Sequence, residues 1–371
     1  MANINDYLIW RGDIPITEFS KFNEIDSMIL ARFSYLLFDK IKLEAEDTIE
    51  SISKKMRDFP NEVFRYNGDK ELITNLGLSI RFKDMKVTDF VQNKDKSVEK
   101  QFGAITIHIS DNEMYISFIG TDSSLIGWKE DFNMAFMKNI PAQLDGLNYL
   151  NNVANKFPNK KIRVGGHSKG GNVAIYSAIA TSEKIQKRII KVYNYDGPGF
   201  NEKIIDNYKN NSFIKKIITY IPQDSVIGRI LEHKEKCEVA HSIEKGIYQH
   251  DIYSWQVLGT NIVKLKKATD SSDHIYKTIK EWLKQTTPEQ RKVFFDGIFE
   301  VFYSTSANSF GEISSNFIKN APTLFKTYRE ISEDDKKIIN QMLREFAKAY
   351  AITLKKSETP KFQIFEKKIT S

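Results

Sequence analysis

The sequence predicts an α/β protein: a mostly parallel sheet flanked by helices, with a helical C-terminal extension. Three observations predict it. Strand-like and helix-like runs alternate between about residues 104 and 222. Gly166-His167-Ser168-Lys169-Gly170 reads G-x-S-x-G and joins a strand-like run to a buried helix-like run. From about residue 268 the strand signals stop and amphipathic helical patterns take over.

The elements follow in order. The opening Tyr7-Leu8-Ile9-Trp10-Arg11-Gly12-Asp13 is aromatic, and Glu24 to Phe38 carries apolar residues at three- and four-residue steps, which predicts a helix. Residues 40–100 are charged and mixed, and short helices and loops are expected there. Ala104–Ile109 and Met114–Thr121 alternate around Asp111-Asn112 and predict a hairpin, with His108 an ordinary strand residue. A helix through Ala142–Leu150 leads to the strand Lys160–Gly165, and Asn172–Ala180 continues as a helix. Two more strands, Lys191–Tyr195 and Ile217–Ile221, end in Asp196-Gly197-Pro198-Gly199 and Pro222-Gln223-Asp224. In the tail, Thr287-Pro288-Glu289-Gln290 is a capping box with proline at the first helical position. Ser332 starts a last helix whose stripe holds Ile338, Ile339, Met342, Leu343, Phe346 and Tyr350. The chain therefore divides into a sheet domain, 1–265, whose first hundred residues are mostly helical, and an extension, 266–371. The tail stripes read as packing faces.

Composition bounds the function. A 41% hydrophobic chain of 371 residues is long enough for one large domain with an appended module. The net charge of +7 suits transient contact with an anionic membrane surface. Zinc-finger spacing, RNP-type aromatics and an arginine-rich arm are missing from the sequence, so no nucleic-acid partner is expected. One cysteine, Cys237, leaves no intramolecular disulfide and reads as a bystander. The N-terminus lacks a signal-peptide pattern and no apolar run is long enough to span a membrane, so a soluble, cytoplasmic protein is expected.

The G-x-S-x-G turn is a candidate nucleophile elbow. Glycines let the chain turn sharply and hold Ser168 in a strained conformation, with helix N–H groups beside it. A serine hydroxyl needs a base and a carboxylate that orients the base. Asp224 and Asp196 both follow strands; Asp224 is favoured as the acid and Asp196 is its rival. His250, among Tyr248, Tyr253 and Trp255, is the expected base, with His241 the runner-up. His233 is expected to be solvated, His274 to lie on the surface, and His167 to pack beneath the turn. The oxyanion donors are expected at Lys169 N–H and at Thr121, in the turn Gly120-Thr121-Asp122. No metal or organic cofactor is required.

These residues resemble class 3 lipases, a branch of the α/β-hydrolase fold. The resemblance is closer to the Mbeg1-like family of lipase-like proteins. It rests on Asp6 to Asp13, Gly120-Thr121, Trp128-Lys129-Glu130-Asp131-Phe132, Gly166 to Asn172, Asp196 to Phe200, and Gln249-His250-Asp251 with Ser254-Trp255. It implies a serine esterase with Ser168 as nucleophile, Asp224 as acid, His250 as base and Thr121 at the oxyanion. Its substrate would be an acyl ester, of lipid or phospholipid type. Lys169 stands where lipases commonly carry leucine, and its side chain is a candidate contact for an acidic or phosphorylated substrate. Ser123–Pro141 is a candidate lid, with core packing as the competing assignment. A silent α/β-hydrolase-type binding module, and the same triad used as thioesterase, peptidase or acyltransferase, are the rival functions.

Overall fold

Alternation along the strands decides what each face of the sheet buries. The computed structural model describes residues 2–358 except 123, 202–203, 205–211, 306, 310–311 and 314–315. The strands are β1 (Lys86–Asp95), β2 (Lys100–Ser110), β3 (Glu113–Phe118), β4 (Lys161–His167), β5 (Ile189–Tyr195), β6 (Ile217–Pro222) and β7 (Lys236–Ala240). A small hairpin, β8 (Val257–Leu258) with β9 (Asn261–Ile262), precedes the short β10 (Lys264–Leu265). The main sheet runs β1-β2-β3-β4-β5-β6-β7-β10. Strands β3 to β7 pair in parallel; β1, β2 and β10 pair antiparallel at the edges. With its flanking helices this is the α/β-hydrolase architecture that the sequence predicts.

One face carries Ile105, Ile107, Tyr115, Tyr193, Tyr195 and Tyr220, and packs under four N-terminal helices. These are α1 (Ile4–Arg11), α2 (Glu24–Phe33), α3 (Ile49–Met56) and α4 (Asp69–Leu78). Asn3 with Asp6, and Asn23 with Asp26, form capping boxes that start α1 and α2. The opposite face carries Met114, Ile116, Ile162, Val164 and Val192. It packs against α6 (Pro141–Lys156) and α7 (Lys169–Ala180), and α8 (Glu183–Arg188) leads into β5. Helix α5 (Leu125–Asn133) links β3 to α6.

The C-terminal helices are α9 (Asp270–Gln285), α10 (Pro288–Tyr303), α11 (Phe317–Glu330) and α12 (Glu333–Glu358). Thr287 and Gln290 form the expected capping box of α10. A third cluster, with Trp282, Phe294, Phe295, Ile331, Ile339 and Met342, holds the layer together and takes in Phe132 and Phe136 from the α5 segment.

Residues 40–100 hold the expected short helices, α3 and α4, but also β1, a ten-residue edge strand whose exposed residues are Lys86, Gln92, Asn93 and Lys94. Solvated edge positions tolerate Lys and Asp, so the apolar alternation that marks a buried strand is missing. The candidate lid is packed instead of free-standing. Leu125 and Ile126 are buried, the Leu125 N–H donates to the Asn308 carbonyl, and Phe132 stacks on Phe295 with ring centroids 4.8 Å apart. Its first residue, Ser123, lies outside the described residues. Among the described residues, no helix is long and apolar enough to cross a membrane.

Candidate functional site

Parallel pairing sends the carboxyl ends of β3, β4, β5 and β6 to one edge of the sheet, where this architecture places its ligands. Thr121 follows β3, Ser168 follows β4, Asp196 follows β5 and Asp224 follows β6.

Ser168 has φ +57° and ψ −136°, in the left-handed half of φ that serine rarely adopts. The turn needs glycine on both sides. A Cβ on Gly170 would collide with the Phe118 carbonyl, and one on Gly166 would collide with the Gly170 backbone. The Ser168 N–H donates to the Tyr195 carbonyl at 2.9 Å, and the Tyr35 hydroxyl donates to the His167 carbonyl at 2.9 Å. Ser168 caps α7, and Lys169 is its first residue. First-turn N–H groups have no acceptor within their helix and face the positive end of its dipole.

His250 Nδ1–H donates to Asp196 Oδ2 at 2.7 Å. Asp196 is buried, and its other oxygen accepts from the Ser225 hydroxyl at 2.5 Å and the Gly228 N–H at 3.1 Å. Its own backbone is left-handed, at φ +51°. Asn172 Nδ2 holds the carbonyls of Pro198 and Gly199, and the Asn194 amide oxygen takes the Gly197 N–H. The turn after β5 is therefore anchored to the elbow helix itself.

Asp224 stands elsewhere, which corrects its expected place beside His250. Its carboxylate accepts from the Thr269 hydroxyl and, at 3.2 Å, from Gln249 Nε2. Its N–H donates to Gln249 Oε1 at 2.8 Å. Thr269 is the N-cap of α9, so Asp224 ties the end of β6 to the His250 loop and to the C-terminal layer. Proximity along the chain did not separate the two acids; neighbouring strands do. Asp196 lies one strand from the elbow and Asp224 lies two.

His167 is buried, and its Nε2 lies 2.7 Å from the His250 carbonyl. Its ring packs 4.4 Å from that of His250 and 5.8 Å from that of Tyr35. Burial holds its pKa well below the usual imidazole value, so the ring is neutral and Nε2–H is the donor. His167 thus fixes the backbone that carries His250. His233 is not solvated: it pairs with Glu235 at 2.7 Å and with the Gly228 carbonyl at 2.9 Å. His274 is half-buried, with its ring 4.6 Å from that of Tyr350. His241 follows β7, its N–H on the Val263 carbonyl, and Cys237 is exposed on that strand.

The Lys169 side chain does not reach out to a substrate. It is buried and donates to Gln101 O and Oε1 at 2.8 Å each and to Glu130 Oε2 at 2.7 Å. Glu130 is fully buried and also accepts the N–H groups of Gln101 and Ala142. The charge therefore braces the turn from below and leaves only the backbone N–H for the cleft. Thr121 donates its hydroxyl to Asp131 Oδ2 at 2.5 Å, and its carbonyl accepts from Arg65 at 2.8 Å. Among the described residues Asp131 Oδ1 has no hydrogen-bond partner, and Lys169 Nζ lies 4.0 Å from it. Burial raises the Asp131 pKa to about 6 against the pull of Lys169. Sequence reasoning missed Asp131; its signal was its place in the Trp128–Phe132 motif.

Two cavities meet at Ser168. A cleft of mixed lining, of about 540 Å³, is bordered by Thr121, His250, Tyr35, Arg65, Ile247 and Tyr248 among others. An apolar cavity of about 390 Å³ extends from Ser168 and Lys169 to the C-terminal helices. Trp128, Asp131 and Ile227 border both.

The family model described as Mbeg1-like matches residues 76–300. No curated protein matches the sequence. Solved structures that are similar include a fungal lipase–inhibitor complex, at 16% identity and TM-score 0.37 over 58% of this chain and 76% of that one. The Lip2 lipase of Yarrowia lipolytica shares 12% identity at TM-score 0.35, over 58% of this chain and 76% of that one. Lipase II of Rhizopus niveus shares 11% at TM-score 0.37, over 67% and 86%.

Proposed function

The chain belongs to the Mbeg1-like family, and we propose that it is a serine hydrolase of acyl esters, of lipid or phospholipid type. The observation that carries this reading is the convergence on one cleft of Ser168, at φ +57°, and the His250–Asp196 pair.

In this reading Ser168 Oγ attacks the ester carbonyl while His250 Nε2 takes its proton. The Nδ1–H bond to Asp196 fixes the tautomer and stabilises the imidazolium that forms. The oxyanion is held by the N–H groups of Lys169 and Thr121, aided by the positive end of α7. The Thr121 hydroxyl is engaged by Asp131 and orients the turn. His250 returns the proton to the leaving alcohol. It then takes a proton from water, whose oxygen attacks the acyl carbon; the bond from that carbon to Ser168 Oγ breaks, His250 Nε2 gives the proton to Oγ, and the carboxylic acid leaves. Every group needed is a side chain or backbone amide of this chain. The basic balance of the chain supports encounter at an anionic lipid surface.

The test is labelling with a fluorophosphonate, with the adduct located by mass spectrometry, alongside turnover of oxygen esters, thioesters and amides. Wild type is expected to carry the adduct on Ser168, and Ser168→Ala to lose labelling and at least about 10³-fold in turnover. Equal labelling of Ser168→Ala, or a folded wild type that neither labels nor turns over any ester, would overturn the reading. The ester panel separates oxygen-ester hydrolysis from thioesterase or acyl-transfer chemistry on the same triad.

A further inference from the structure

We infer that the C-terminal helical layer is part of the substrate site: it forms the chamber for one long, unbranched acyl chain and sets the chain length accepted. This rests on the hydrolase reading above and goes beyond it, because it assigns a role to α9, α10 and α12.

The apolar cavity is lined on its far side by Ile279 and Trp282 of α9, Phe294 and Phe295 of α10, and Leu343 and Phe346 of α12. Its polar lining residues are Ser168, Lys169 and Asp131; the Lys169 ammonium is turned away into the Glu130 pair, and Asp131 accepts from the Thr121 hydroxyl. Even the Trp282 N–H is spent: it donates to the Met342 carbonyl at 3.1 Å, joining α9 to α12 and leaving ring carbon on the cavity side. A pocket of about 390 Å³ falls in the range of small-molecule sites, and its walls offer hydrocarbon contact without hydrogen bonds. A ligand of that character joined to an ester is an alkyl chain. Its polar end would reach Ser168, where the second cleft, with Arg65 and Tyr248 among its residues, begins and can take the leaving alcohol.

The layer is fastened to the catalytic half, as a chamber wall must be. Lys129 Nζ bonds Asp296 at 2.5 Å, Phe132 stacks on Phe295, and Thr269 bonds Asp224. The same helix, α5, carries Trp128 and Asp131, which border both cavities.

Two substitutions test the chamber at positions that tolerate change, since Leu343 and Phe346 are 52% and 42% exposed. Leu343→Trp fills it and Phe346→Ala opens it. Full-length wild type and variants are compared on p-nitrophenyl esters from acetate to palmitate, and on labelling by ethyl and dodecyl fluorophosphonates. In wild type, kcat/KM rises about fourfold per added methylene until the chamber is full. Leu343→Trp moves that break to shorter chains and lowers the dodecyl-to-ethyl labelling ratio about tenfold or more. Phe346→Ala moves the break to longer chains. An unchanged chain-length profile in both variants, with the ethyl probe still reacting at Ser168, overturns the chamber and leaves the hydrolase reading standing. Failure of both probes on folded wild type overturns the hydrolase reading itself.

Discussion

The elbow and the C-terminal layer both border Ser168, yet they are built by opposite means. The elbow is specified atom by atom. Gly166 and Gly170 sit where a Cβ would strike backbone, Ser168 is held at positive φ, and a buried Lys169–Glu130 pair braces it from below. The cavity wall of the C-terminal layer is specified mainly by shape and apolar character: Trp282, Phe294 and Phe295 pack on one another, and other apolar residues of similar volume would serve. Chemistry needs the first kind of construction and accommodation of a chain needs the second. Substitutions at the elbow are therefore expected to act on kcat, and substitutions in the layer on chain-length preference.

The largest effect that would break this contrast concerns the acid. Asp196→Asn keeps the shape but lets His250 take the wrong tautomer, and about a 10³- to 10⁴-fold loss in kcat is expected. Asp224→Asn loosens the tie among β6, the His250 loop and α9, and a loss of less than about tenfold is expected, with lower thermal stability. Steady-state kinetics on one ester, with melting curves for both variants, decides the assignment. A larger kinetic loss in Asp224→Asn would restore Asp224 as the acid.

The brace beneath the elbow comes next. Lys169 and Glu130 are 1% and 0% exposed as side chains, so removing either partner leaves a buried charge unpaired. Lys169→Met or Glu130→Gln is expected to cost about 3–5 kcal/mol in urea unfolding, and the double variant less than the sum of the two. Additive losses would mean that the pair does not act as a unit. By contrast, Asp296→Asn at the joint with the layer removes a carboxylate that is 37% exposed, and the buried Lys129 that it leaves keeps Glu99 at 3.4 Å and Asn133 Oδ1 at 2.8 Å, so a smaller cost is expected.

What could be read from the sequence follows the same division. The turn at Ser168 was legible because its conformation demands glycine at fixed spacing, Gly166 and Gly170, between a strand and a helix. The hairpin β2–β3 and the α10 capping box were legible for the same local reason. The choice between Asp196 and Asp224 was not, because both follow strands and only the sheet order puts β5 beside β4. The Lys169 side chain was misread as outward because its partner, Glu130, is distant in sequence. The cavity beside the layer could not be read from the sequence: an apolar stripe on a helix has the same pattern whether it faces a packed core or a cavity. Trp282 and Phe346 read as packing residues, and they are that as well, with their rings 5.8 Å apart.

A last effect concerns pH and sharpens the account of how His167 holds the His250 loop. His167 is neutral in the folded protein because burial depresses its pKa. The unfolded chain, with an ordinary imidazole near 6.5, therefore binds the extra proton first as pH falls. Stability from this group is complete above about pH 6.5 and declines below it, by up to about 1.4 kcal/mol per pH unit. Asp131 has the opposite sign: its folded pKa of about 6 lies above the ordinary carboxyl value, so the folded state binds the proton first and gains stability as pH falls below 6. His167→Gln, which keeps an N–H donor for the His250 carbonyl, is expected to flatten the decline between pH 6.5 and 5, with kcat at pH 7.5 within about fivefold of wild type. Asp131→Asn is expected to steepen it. Urea midpoints at half-unit pH steps measure both slopes. Were His167→Gln to lose stability on acidification as steeply as wild type, the buried neutral imidazole would not be what links this site to pH. His108, on β2 and depressed to about 4 by burial, would then be the group to test.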